Sequence, residues 1–192
     1  MKLDKKTNYI VSGLERSGTS MLMQILYTGD IEISFDNSRK PDDNNPRGYF
    51  ELKGGKIINL LMNGDFEFDK YKAKFIKITA YGLKFLPPGK YKIIYCERNI
   101  EEVLDSMEKM MGIKDRNRED TKKSFIALNN MIKKKINNTK DTKILYIYYN
   151  DILLDPEKNI KKILNFLDLP HLQLNKMIEI VDKTLYRQRK II

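Results

Sequence analysis

Gly13-Leu14-Glu15-Arg16-Ser17-Gly18-Thr19-Ser20 follows an apolar run, Tyr9-Ile10-Val11, and leads straight into the helix-like segment Met21-Leu22-Met23-Gln24-Ile25-Leu26. The order is strand, glycine loop, helix. Two glycines five positions apart let the backbone wrap tightly, so several N–H groups can converge on one anion while the positive end of the helix dipole faces it. The stretch reads as a phosphate cradle; its plainer reading is an ordinary strand-to-helix turn.

In spacing the loop looks like the nucleoside-triphosphate P-loop, in which two glycines enclose four residues and Lys then Ser or Thr follow. Thr19 stands where that Lys would be. A γ-phosphate transfer normally needs the Lys on the phosphate oxygens and an acidic residue holding magnesium, so a small-molecule or nucleotide kinase is the second reading. This chain instead places its cation inside the loop, at Arg16.

About eighty residues on, Tyr91-Lys92-Ile93-Ile94-Tyr95-Cys96 reads as a buried strand, followed by Glu97-Arg98-Asn99-Ile100-Glu101-Glu102-Val103-Leu104-Asp105-Ser106. Asn99 and Glu102 form a capping-box pattern. Arg98 then sits at the carboxyl end of a strand and Ser106 two turns along the next helix, at the sheet edge where open α/β folds bind ligands. An arginine and a hydroxyl together suit a terminal phosphate. The plainer reading has Arg98 capping a carbonyl or pairing with Glu101 or Glu102, and Ser106 facing water.

The wider pattern predicts strands near 8–12, 75–79, 91–96 and 143–148 and helices near 19–28, 51–63, 100–111, 119–136, 156–167 and 172–184. Strands separated by helices imply a parallel sheet sandwiched between helices, with the strand of the glycine loop central. The expected fold class is three-layer α/β/α, P-loop NTPase-like. With 192 residues, 41% of them hydrophobic, the chain suits one domain over residues 1–192. Its one Cys excludes an internal disulfide, and Cys96, inside a strand, reads as a small buried hydrophobe; no Cys/His cluster suggests zinc. No eighteen-residue apolar run could cross a membrane, and the charged start carries no leader, so a cytoplasmic protein is expected. The formal net charge is +10. Lys133-Lys134-Lys135 and Lys161-Lys162 fall on helices with apolar opposite faces, and no aromatic-basic motif appears, which argues against nucleic acid and for a small polyanion.

Arg16-Ser17-Gly18-Thr19-Ser20 resembles, at all five positions, the 5′-phosphosulfate loop of the sulfotransferases that use 3′-phosphoadenosine-5′-phosphosulfate (PAPS). In that family an Arg at the end of a strand and a Ser eight residues later hold the 3′-phosphate, and Arg98 and Ser106 match the pair in spacing. Lys143-Ile144-Leu145-Tyr146-Ile147-Tyr148-Tyr149-Asn150-Asp151-Ile152-Leu153-Leu154-Asp155-Pro156-Glu157 is similar to the family's Tyr-Glu-Asp-Leu strand end and Asp-Pro helix start, with Asn150 replacing the usual Glu. Asp155 suits an N-cap and Pro156 a first helical position, ahead of an apolar stripe of Ile160, Ile163, Leu164 and Leu167. Asn45-Pro46-Arg47-Gly48-Tyr49-Phe50-Glu51 is similar to a stretch found in many bacterial members.

The resemblance implies PAPS as donor, the bisphosphate PAP as product, no metal, and a small-molecule or glycan acceptor. It implies cofactor binding by Arg16, Ser17, Gly18, Thr19, Ser20, Arg98 and Ser106. Arg16 matches the catalytic Lys or Arg, whose planar fork stabilises charge on the leaving 5′-phosphate beside the loop amides of residues 17–20. For the base, Glu51 is the first candidate, with Asp36 and Glu15 behind it; the plainer reading of Glu51 is a helix-start charge. His171, the only histidine, follows Leu169-Pro170 and reads as part of a turn. Lys77 and Arg47 could face an acidic acceptor. Acceptor contacts are expected from loops 31–48 and 116–120. The tail Tyr186-Arg187-Gln188-Arg189-Lys190 stands where several members bring basic residues over the 3′-phosphate, though their Arg-Lys-Gly element is incomplete here. A binding module that keeps the nucleotide loop without catalysis is the third reading.

Overall fold

A computed structural model describes residues 2–182 and 184 of the chain. Four parallel strands form one sheet in the order β2-β1-β3-β4, with β1 at Asn8–Gly13, β2 at Phe75–Lys77, β3 at Tyr91–Glu97 and β4 at Thr142–Tyr148. The glycine-loop strand is thus interior. Strands covered on both faces read as continuous apolar runs, and every residue of β1 is buried.

Alternation along those strands divides the interior into two cores. Tyr9, Val11, Ile94 and Cys96 pack on one face beneath α1 (Thr19–Thr28), α5 (Tyr149–Leu154), α6 (Pro156–Phe166) and α7 (Leu174–Glu179). Ile10, Ile76, Ile93 and Tyr95 pack on the other beneath α2 (Ile57–Asn63) and α4 (Arg118–Asn137). α3 (Ile100–Met111) follows β3 directly. The result is the expected three-layer α/β/α arrangement, and fully burying each such large aliphatic side chain contributes about 1.5–3 kcal/mol.

The stripe on α6 is buried at all four named positions, and the Asp155 carboxylate accepts the Lys158 amide at 3.0 Å, as an N-cap should. Three expectations need correction. The helix expected over 51–63 is broken: Lys53–Gly55 forms a single tight turn with positive φ at each residue, and α2 starts only at Ile57. Gly54 and Gly55 permit that left-handed backbone, and the Asp36 carboxylate fixes it by accepting the Lys53 amide at 2.6 Å. The helix expected over 172–184 is α7 alone; Val181 and Asp182 are already irregular. Asn99 does cap α3, accepting the Glu101 amide at 2.9 Å, but Glu102 does not close a capping box because its carboxylate is taken by Arg98. The basic tail Tyr186 to Lys190 lies outside the described residues.

Between α1 and α2 the chain first runs beside β2, where Ile33 bridges Phe75, and then crosses the carboxyl ends of the strands as residues 36–51. That crossing encloses the site.

Candidate active site

The glycine loop is shaped by two close approaches. Gly18 has φ 109°, and a Cβ there would lie 2.3 Å from the Tyr149 ring; a Cβ at Gly13 would meet the Cys96 carbonyl at 2.4 Å. The Ser17 amide closes the turn onto Leu14 O at 3.1 Å, so it is not aimed at an anion as expected. The amides from Gly18 to Met21 open α1 ahead of its first turn bond, Leu22 N–H to Gly18 O at 3.2 Å. Ser17 Oγ is buried and, among the described residues, has no hydrogen-bond partner.

Arg16 takes a left-handed conformation, φ 65°, which costs an L-residue about 1–2 kcal/mol. Its Nε donates to Ser106 Oγ at 3.0 Å and its Nη2 to Asn44 O at 3.2 Å. Among the described residues no carboxylate pairs with it, so a partly buried guanidinium keeps its whole charge in the cavity. Burial pushes that guanidinium below its ordinary range, the direction expected for a cation taken out of water.

Arg98 does what the plainer reading expected, both capping a carbonyl and pairing with Glu102. Its Nε pairs with Glu102 Oε2 at 2.9 Å, with only 7% and 2% of the two side chains exposed. Its Nη1 donates to Arg16 O at 3.0 Å, and the guanidinium stacks 4.5 Å from the Tyr149 ring centre. Ser106 is buried rather than facing water. The two arginine corners are therefore adjacent.

A second group lines the opposite wall. Lys77 Nζ pairs with Glu51 Oε1 at 2.9 Å and also donates to Ser20 Oγ at 3.2 Å and to Tyr49 O. Burial, opposed by Glu51, pulls the Lys77 ammonium below 10.5. The other Glu51 oxygen meets Arg39 at 3.2 Å, and Arg39 lies 3.4 Å over the Tyr49 ring. Tyr49 OH donates to Asp42 at 2.8 Å, and Asn45 Nδ2 to Ser20 Oγ at 3.0 Å. Arg47 reaches across to Ile180 O at 2.6 Å and Asp182 at 2.8 Å.

Both walls border one cavity of about 360 Å³, within the range of small-molecule sites. It brings together Arg16, Gly18, Thr19, Ser20, Glu51, Arg98 and Ser106 from the expected site, with Glu15 at its edge and Ser17 sealed beneath it. Asp36 does not join them; its carboxylate holds the amides of Ser38 and Lys53. His171 is exposed in the α6–α7 connection, 2.9 Å from Asn165 Oδ1. Loop 31–48 supplies Arg39, Asn44, Asn45, Pro46 and Arg47, whereas 116–120 supplies nothing to the lining, because Arg118 is held by Glu101, Asp105 and Glu108. Sequence reasoning reached Arg39 only as part of loop 31–48 and Tyr49 only as part of the stretch from Asn45 to Glu51, and it did not single out Thr79 or Lys109. A lysine inside an otherwise apolar strand was the available signal for the Lys77 and Glu51 pair. Among the described residues no helix is long and apolar enough to cross a membrane, and no cluster of metal-ligating side chains occurs.

The family model described as sulfotransferase domain matches residues 6–190. Comparison with curated protein sequences returns no match. Among solved structures, mouse sulfotransferase SULT7A1 complexed with PAP gives a TM-score of 0.56 at 16% identity, over 97% of this chain and 68% of that one. The sulfotransferase domain of the Synechococcus PCC 7002 olefin synthase gives 0.54 at 15% identity, over 98% and 84%. At these identities the two likenesses concern the fold.

Proposed function

The chain belongs to the sulfotransferase domain family, and from that premise we propose that it moves a sulfuryl group from PAPS to a hydroxyl or amine of a small-molecule or glycan acceptor, releasing PAP. The observation that carries the donor assignment is the Arg16 guanidinium, charged, partly buried and with no carboxylate partner among the described residues, beside the amides that open α1. That combination fits an anion with several oxygens. The solved relative in complex with PAP supports the same ligand.

When bound, the donor supplies an activated sulfuryl group. Arg16 and the amides of Gly18, Thr19 and Ser20 stabilise charge at the 5′-phosphate end with fixed donors already in place. Arg98 and Ser106 hold the 3′-phosphate end. Glu51 receives the acceptor's proton: Lys77 fixes one of its oxygens, and the other, among the described residues, is shared with Arg39, whose side chain is 39% exposed and can yield to an incoming acceptor. Metal is not needed for any of these roles.

The kinase reading is disfavoured by Thr19 at the position of the phosphate-binding lysine. Thermal denaturation with PAP, ATP or GTP separates the two: PAP at about a hundred times its Kd stabilises the chain by about 2.7 kcal/mol, and equal or larger shifts with ATP would remove the PAPS assignment. Turnover of labelled phosphosulfate onto a panel of glycans, lipids, phenols and peptides separates an enzyme from a binding module.

A further inference from the structure

Resting on the nucleotide reading above, we propose that Lys109 is a second cation for the 3′-phosphate, and that it sets the preference for a 3′,5′-bisphosphate over a 5′-monophosphate. Ser106, Lys109 and Met110 lie three and four residues apart, so they share one face of α3, and all three border the cavity. Ser106 is buried at its wall while Lys109 is exposed at its mouth, where a four-carbon stem can swing an ammonium inward.

The need for that charge follows from the Arg98 corner. Glu102 neutralises Arg98 at 2.9 Å with both side chains nearly sealed from water, so the pair offers directed N–H groups with no net charge. A terminal phosphate carries roughly 1.5–2 negative charges near neutral pH. Arg16 is aligned with the loop, and its fork is already divided between Ser106 and Asn44. The remaining ionisable groups of α3 are engaged elsewhere: Glu101, Asp105 and Glu108 surround Arg118 at 2.6 to 2.9 Å. Among the described residues none pairs with Lys109. It is the helix's uncommitted charge, and it borders the phosphate-binding face.

Calorimetry on the full chain with PAP and with adenosine 5′-monophosphate tests the assignment in the natural protein, Lys109→Ala and Lys109→Arg. Lys109→Ala should weaken PAP about tenfold, the size of one charge-assisted contact, and leave the monophosphate unchanged. Lys109→Arg should restore the ratio of the two affinities, and the PAP loss should shrink as salt is raised from 50 to about 200 mM. Thermal melts of both variants should match the natural chain, since the residue is exposed. An unchanged ratio in Lys109→Ala, with PAP still favoured, overturns the role of Lys109 alone. A natural protein that binds PAP no better than the monophosphate removes the nucleotide reading together with it.

Discussion

The two walls of the cavity are built in different ways. The wall formed by Gly13 to Ser20, Arg98 and Ser106 hangs on the ends of β1 and β3 and the starts of α1 and α3, so backbone geometry places its groups. The facing wall, residues 36–51, has no regular element; it is stitched by side chains, with Tyr49 on Asp42, Arg39 on Glu51 and Arg47 on Asp182. A wall set by the sheet tolerates little change without loss of the fold. One held by separate surface contacts can be altered one contact at a time, which suits the side that meets a variable partner.

Substitutions should separate the walls by size of effect. Arg98→Ala removes the nearly sealed guanidinium 2.9 Å from Glu102 and should destabilise the chain by about 3–5 kcal/mol in urea melts; replacing both by Met should recover most of that stability but not PAP affinity. Full recovery of both would mean that Arg98 serves packing alone. Arg16→Ala should lower the rate of sulfuryl transfer about 10²–10³-fold, with a smaller change in PAP affinity. A loss confined to affinity would make Arg16 a binding group only.

Lys77 joins the two walls, and pH probes it. Its pKa lies below 10.5 in the folded chain, so in the window beneath 10.5 the unfolded chain binds the more protons, and stability should rise with pH across that window. A rate that depends on the ammonium should fall over the same rise. Lys77→Arg should flatten both profiles, and an unchanged alkaline limb would remove Lys77 from the step. Arg47→Ala should have the smallest effect, about 0.2–1 kcal/mol, because the Arg47–Asp182 pair is partly solvated; it should act on the KM of the acceptor. A rate loss as large as that of Arg16→Ala would erase the contrast between the walls.

The same contrast explains what could be read in advance. Glycine spacing, the Arg98 to Ser106 interval and the Asp155-Pro156 helix start are local patterns, each enforced within about ten residues, and the described fold carries all three. The break was signalled by the Gly54-Gly55 pair, which the apolar helical spacing of the residues after it outweighed, while the Asp36 carboxylate that fixes the turn is seventeen residues away. Glu102 sits where a capping box would put it, yet a stronger partner, Arg98, stands four residues before it. Lys77 with Glu51, and Arg47 with Asp182, join positions 26 and 135 residues apart, and no one-dimensional spacing encodes such pairs.

Beneath the glycine loop the Cys96 thiol donates to Ser17 O at 3.1 Å, and burial pushes its pKa up to about 12. Because it is the chain's single sulfhydryl, an alkylating reagent has one target, covered by the glycine loop and by the core packed on that face of the sheet, and reachable when that cover lifts. The labelling rate under native conditions therefore works as a clock for that opening, and any molecule that clamps the loop from above slows the clock without touching the sulfur.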